Sequence, residues 1–231
     1  MSFSLGVNQE IFERFPNYQV TILYASGLNN TPSTEESTSW LREAEAESRE
    51  RFGHQSLKDH PHIRLWQDAF SSFGAKPSKY PSSVEALLKR VLADKDLPSI
   101  NALVDAYNAC SIRYVIPIGG EDRDRLRSNL ELRFMAGTET FDTVNAGQPV
   151  VETVPAGEVA WADAEGVTCR RWNWRQCRRT ALTTDTGNAY FVLDHLAPYA
   201  AEMLGAASDE LEKRILHLCP DATVAREVLG R

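Results

Sequence analysis

Residues 170–179 read RRWNWRQCRR, five arginines and two tryptophans in ten positions. Guanidinium forks hold phosphate or carboxylate oxygens in pairs, and indole faces give a planar ligand something to stack on. If 168–176 is one extended strand, its two-residue period puts Arg170, Trp172, Trp174 and Gln176 on one face, and Arg171, Asn173, Arg175 and Cys177 on the other. The segment then reads as a pocket wall for something anionic or planar. The competing reading is a surface strand whose arginines stack over the tryptophans or pair with Asp163, Glu165 or Asp185. Just downstream, Thr180, Thr183, Thr184, Asp185, Thr186 and Asn188 supply hydroxyls, a carboxylate and an amide that can orient a small polar ligand or a water. The same residues also serve turns, through side chain to backbone bonds.

Other chemistry-bearing residues are sparser. His60-Pro61-His62 has the outline of a metal-ligand pair, but no third ligand lies at useful spacing, and it reads as a surface loop. The five histidines (54, 60, 62, 195 and 217) join no Ser or Cys nucleophile motif, and there is no G-x-S-x-G, P-loop or G-x-G-x-x-G. Gly119-Gly120-Glu121-Asp122 could form a ligand turn, although its acidic continuation disfavours anions. Asp105 and Asn108, within a helical run, are placed to cap or buttress a loop.

The elements that must position these residues follow from periodicity. YQVTILY (18–24) alternates as a strand, LNNTPSTEEST (28–38) reads as a loop, and Trp40–Phe52 is dense in helix formers until Gly53 stops it. HIRLWQDAFSSFG places Ile63, Trp66 and Phe70 on one helical face. Ser82 with Glu85 has the spacing of a capping box opening a helix whose Val84, Leu87, Leu88, Val91 and Leu92 share one side. The run from Asn101 starts with helical spacing and passes into a strand, SIRYVIPI (111–118). Alternating stretches with turns between them fill 126–194, and a C-terminal amphipathic helix carries Met203, Leu204, Ala207, Leu211, Ile215 and Leu218 up to Pro220. Helices early and late with strands clustered between predict an α+β fold with antiparallel or mixed sheets.

Composition bounds the rest. The 231 residues are 42% hydrophobic and carry 25 basic against 32 acidic side chains, a formal charge of −7. General attraction to nucleic acid or an anionic membrane is not expected, so any polyanion must be met at a focused site. Four cysteines, Cys110, Cys169, Cys177 and Cys219, form no C-x-x-C pair and read as reduced packing residues. No run is long enough to span a membrane and none reads as a leader, which places the protein in the cytoplasm, and no cofactor or metal is implied.

LPSINALVDAYNACSIRYVIPIGGEDRDRL (97–126) resembles the B3 part of the B3/B4 domain in the phenylalanyl-tRNA synthetase β subunit, through Asn101, Leu103-Val104-Asp105, Asn108, Pro117 and Asp122. GEVAWADAEGVTCRRWNWRQCRRTALTTDTGNAYFVLD (157–194) is similar to free-standing members of that family. The resemblance spans roughly 60 to 200. It implies a layered β/β/α fold, with residues 1–55 as an N-terminal extension and 56–231 as the B3/B4-like domain with its C-terminal helix. In the synthetase, this domain hydrolyses tyrosine wrongly attached to the phenylalanine tRNA, so the resemblance implies a role with aminoacyl-tRNA or an RNA 3′ end. The synthetase's pocket histidine falls at Gly119, its glutamate has no clear counterpart between Phe191 and Asp194, and its glycine-rich loop is replaced by RRWNWRQ. Three functions follow: deacylation of a mischarged tRNA in trans, binding of an amino acid or small carboxylate without turnover, or a small-molecule enzyme on the same fold. For the first, Thr183 and Asp185 are the candidates to position water. Arg170, Arg171, Trp172, Asn173, Trp174, Arg175, Gln176, Asn108 and Gly119 are the candidates to hold the substrate.

Overall fold

A computed structural model describes residues 3–53 and 55–230; His54 lies outside the described residues. In chain order its elements are β1 (Leu5–Val7), α1 (Gln9–Arg14), β2 (Tyr18–Ser26), α2 (Glu35–Phe52), α3 (Pro61–Ser72), α4 (Ser83–Val91) and α5 (Ala102–Tyr114). There follow β3 (Ile118–Asp122), β4 (Leu130–Phe134), β5 (Thr140–Asn145), β6 (Gln148–Thr153), β7 (Val159–Ala162), β8 (Val167–Arg170), β9 (Arg175–Gln176), β10 (Asn188–Leu196), α6 (Ala201–Leu218) and β11 (Thr223–Gly230).

Alternation along β2 and β10 builds the layers. Tyr18, Val20 and Ile22 of β2, with Tyr190 and Val192 of β10, pack against Leu132, Val159, Trp161 and Cys169 of a second sheet. The opposite parity, Leu23 and Ala25 with Ala189, Phe191 and Leu193, meets Leu103 and Tyr107 of α5 and Leu204, Leu211 and Ile215 of α6. A four-stranded antiparallel sheet, β11-β2-β10-β3, therefore has a five-stranded mixed sheet, β1-β4-β7-β8-β9, on one face and helices on the other. This is the expected β/β/α layering. A further helical cluster joins α2, α4 and α5 through Leu41, Val84, Leu88, Val91, Ala109 and Ile112. Residues before 56 are woven into both sheets: β1 pairs with β4, and β2 lies between β11 and β10.

Several boundaries differ from the expectation. Helix α2 begins at Glu35, where Thr34 and Ser37 form a reciprocal cap, so the end of the expected loop is helical. The capping box at Ser82 does not form: Glu85 is turned to Gln67 Nε2 at 2.8 Å and Lys89 Nζ at 2.7 Å. Ser111–Tyr114, expected in a strand, complete α5, which ends at Val115 with φ of 54° before β3 starts.

The largest departure lies at 168–176, which is a tight hairpin and not one strand. Cys169 pairs with Gln176 and Arg170 with Arg175, and Arg171-Trp172-Asn173-Trp174 make the turn. Arg171 (φ 46°) and Trp172 (φ 67°) are both left-handed. Such residues cost roughly 1–3 kcal/mol each. Burying an indole of roughly 150–250 Å² at about 25 cal/mol per Å² returns roughly 4–6 kcal/mol, which can offset that cost. The turn swings Trp172 wholly inside, where its ring meets Phe15 and Tyr18 at 4.8 Å and Trp66 at 5.3 Å.

Candidate functional site

The two sheets part where β3 edges one and β9 edges the other, leaving a cavity of about 370 Å³. That is within the range of small-molecule sites. The parity that points Tyr190 and Val192 between the sheets also points Asp194 there. On β3, Gly119 and Glu121 face the cavity, while Gly120 faces the helices. A side chain at Gly120 would meet the Phe191 ring at 2.6 Å, so glycine lets β3 approach β10. Helix α4 forms the outer wall with Ser83, Ala86, Leu87 and Arg90 while Val84, Leu88 and Val91 enter the core. Leu97 and Pro98 complete it on a loop fixed by buried carboxylates: Asp105 accepts from Ile100 N–H at 3.0 Å and Glu45 from Leu97 N–H at 2.7 Å. Asp105 thus buttresses a loop as expected, and Asn108, one turn on, lines the cavity.

The floor is acidic. Glu121 is buried and accepts from Thr180 Oγ1 at 2.7 Å and from the Tyr190 hydroxyl. Burial raises its carboxyl above the usual range. Asp194, also buried, accepts from Tyr18 Oη at 2.6 Å and Asn173 Nδ2 at 3.1 Å, and burial pushes it up to about 6. Asn173 Oδ1 is buried with no hydrogen-bond partner among the described residues. Burial also holds the Cys169 thiol well above its usual range, so it is no thiolate nucleophile. All four cysteines are buried and unpaired.

Around this floor, the expected site residues separate. Trp172, Asn173, Trp174, Arg175, Gln176, Asn108 and Gly119 line the cavity. Arg170 does not: it is spent on Glu158, with two bonds at 2.9 Å, and on Glu152 at 2.6 Å. Arg171 lies 3.4 Å from Glu158 and over the Tyr80 ring at 3.6 Å, Arg178 reaches Asp142, and Arg179 bonds both oxygens of Asp163. The guanidiniums therefore do not converge on the cavity; Arg175 lines it, and Arg90 joins from α4. Arg179 with Asp163 follows the competing reading of the segment, as does Arg175 over the Trp174 ring at 4.6 Å. Thr183 and Asp185 sit in an exposed turn outside the cavity, where Asp185 N–H donates to Thr183 Oγ1 at 3.2 Å.

At Gly119, a Cβ would stand 2.8 Å from Gln176 Nε2, which donates to Gly120 O at 3.1 Å. The Gln176 amide thus occupies the space that a side chain at 119 would need. His62, expected in a surface loop, is buried near the start of α3. Its Nδ1 donates to Val115 O at 2.7 Å, and its Nε2 accepts from Leu196 N–H and Trp66 Nε1–H at 3.1 Å. Burial lowers it to about 3, so it is a neutral structural residue. Among the described residues no three His, Cys, Asp or Glu side chains are grouped to hold a metal, and no helix is long and apolar enough to cross a membrane.

Asp194 and Tyr190 were not among the expected site residues, and Glu121 stood there only as part of a possible ligand turn. For Asp194 the signal was an acid inside the apolar run AYFVLDHL, since burial of a carboxylate is costly and usually purposeful; Glu121, following Gly119-Gly120, carried no such signal.

Comparison with functionally curated proteins gives no match. One similar solved structure is an N-terminal fragment of the phenylalanyl-tRNA synthetase β-subunit from Pyrococcus horikoshii, with 12% identity and a TM-score of 0.48; the alignment covers all of this chain and 55% of that one. This chain thus corresponds to about half of that fragment. The family model for the B3/4 domain matches residues 65–217, more than half of the chain, from within α3 to the end of α6. The chain therefore belongs to the B3/4 domain family.

Proposed function

We propose that this protein takes the aminoacylated 3′ end of a tRNA, places the amino acid in the cavity between the sheets, and hydrolyses the ester in trans. The observation that carries this reading is the polarity of the cavity. Two buried carboxyl groups, Glu121 and Asp194, lie at its floor, and two exposed arginines, Arg90 and Arg175, stand at its mouth. An ammonium or hydroxyl suits the floor, and a phosphate or carboxylate suits the mouth. Family membership and the resemblance to the synthetase domain support the choice of an aminoacyl group.

Hydrolysis of an aminoacyl ester asks for a positioned water and a base, because the ester is already reactive and proximity supplies much of the rate. Asp194, with its proton lost at about pH 6, is a carboxylate at neutral pH and can accept a proton from water. The unpartnered Asn173 Oδ1 can hold that water or the α-ammonium. These two residues replace Thr183 and Asp185 as the candidates for the chemistry. The second reading, amino-acid binding without turnover, is favoured by the charge of −7, which opposes phosphate contacts over most of the surface.

The test is deacylation of a full set of charged tRNAs by purified protein, beside Asp194→Asn and a thermal-shift screen of free amino acids. Release above a buffer blank that Asp194→Asn abolishes is the expected result. Amino-acid binding without release selects the second reading, and neither release nor binding removes the site.

A further inference from the structure

Beside the cavity mouth lies a layered group that extends beyond the cavity lining through Lys79, Tyr80 and Arg171. The half-buried Tyr80 and Trp174 rings meet edge to face, with centroids 4.9 Å apart. Arg171 lies over Tyr80 at 3.6 Å and over Trp174 at 4.6 Å, Arg175 covers Trp174 at 4.6 Å, and exposed Lys79 stands over Tyr80 at 5.1 Å. Two aromatic faces and three cations thus concentrate on one edge of an otherwise acidic protein. Arg171 is tied back to Glu158 and serves as a fixed support behind the Tyr80 ring. Lys79 and Arg175 are exposed. Trp174 and Arg175 belong to both this group and the cavity lining, so a chain bound here leads into the cavity.

The geometry points to Tyr80 and Trp174 as a stacking platform for unpaired bases of a single-stranded RNA end, with Lys79 and Arg175 neutralising its phosphates. The inference rests on the proposed aminoacyl-tRNA function and names the surface that would hold the RNA. Single-strand binders combine these two elements: bases stack without regard to sequence, and cations track the backbone. A duplex offers no free base face. An acidic peptide would use the cations but leave the rings idle.

The experiment is fluorescence anisotropy with a short labelled single-stranded oligoribonucleotide ending in CCA, over a salt series, using the full chain. Tyr80→Ala weakens binding by roughly tenfold, as loss of one stacked base would, and Tyr80→Phe restores it. Lys79→Glu lowers the dependence of log affinity on log salt by about 0.7, the share of one phosphate contact on a single strand. Melting curves establish that each variant is folded. Wild-type affinity in both Tyr80→Ala and Lys79→Glu overturns the inference, as does equal competition by an RNA duplex or a polyglutamate peptide.

Thermal shift with amino acid methyl esters, which carry no RNA, reads the cavity separately. Binding of the ester that survives Tyr80→Ala while oligonucleotide binding falls supports the platform as a distinct surface. Oligonucleotide binding through Tyr80 with no ester bound sinks the cavity reading and leaves the platform standing.

Discussion

Asp194→Asn should change how stability depends on pH, by an amount that can be worked from the fold. The side chain is buried between the sheets and titrates at about 6, against an ordinary 3.8. Between those values the unfolded chain has lost the proton that the folded chain still holds, so stability falls as pH rises. The contribution is fully present below about pH 4 and gone above about pH 6. At 1.36 kcal/mol per pH unit, the separation amounts to about 3 kcal/mol. Asparagine can keep both contacts: Tyr18 donates to its oxygen, and Asn173 turns its amide so that the now unpartnered Oδ1 accepts from the new NH2. Urea unfolding of both proteins from pH 4 to 8 is the assay. Wild-type stability minus variant stability should drop by about 3 kcal/mol as pH rises from about 4 to about 6 and level off from there to pH 8. Parallel curves would refute the claim that a carboxyl is forced to ionise inside the fold, and with it the case for Asp194 as a base.

Deacylation, if Asp194 supplies the base, should rise with pH through about 6 and flatten above it, read as initial rates on one charged tRNA. Trp172→Ala empties a fully buried aromatic cluster and should cost about 3–5 kcal/mol in urea unfolding. Arg170→Met leaves Glu158 buried without its main partner and should cost about 3–5 kcal/mol, much of it recovered when Glu158→Gln is added. Gly119→Ala must push Gln176 Nε2 from a 2.8 Å approach; the amide is the end of a flexible side chain, so stability should shift by about 0.5 kcal/mol or less while amino-acid affinity falls, seen by thermal shift.

The sequence records whatever repeats with a regular period. Helix α4 followed from Val84, Leu88 and Val91, and the β/β/α order followed from the family resemblance and the placing of helices and strands along the chain. The period fails where side chains stop alternating. RRWNWRQ contains an alternation of tryptophans that suits a strand, yet two left-handed residues fold it into a hairpin, and nothing in Arg171 or Trp172 announces a positive φ. Strand β11 left no mark because most of its residues are exposed, so no apolar face repeats at every second position. Of the arginine partners only Asp163 and Glu165 were foreseen; Glu152, Glu158 and Asp142 reach Arg170, Arg171 and Arg178 only through sheet and hairpin pairing. Glu121 and Asp194 were hidden for the opposite reason: charge usually means surface, and only the parity of β3 and β10 turns them inward.

Strand β2 takes its neighbours from the far end of the chain: Ser26 faces Asn188 on one side and Thr223 on the other. At roughly 5–20 residues per second, a ribosome leaves β2 without its partners for roughly ten seconds or more. Its Tyr18, Val20, Ile22 and Leu23 are apolar and fully buried once folded, so the nascent chain carries a sticky strand through that delay. Slow folding, and exposure to aggregation until both partner strands have emerged, are the expected consequences of where one strand sits in the sheet.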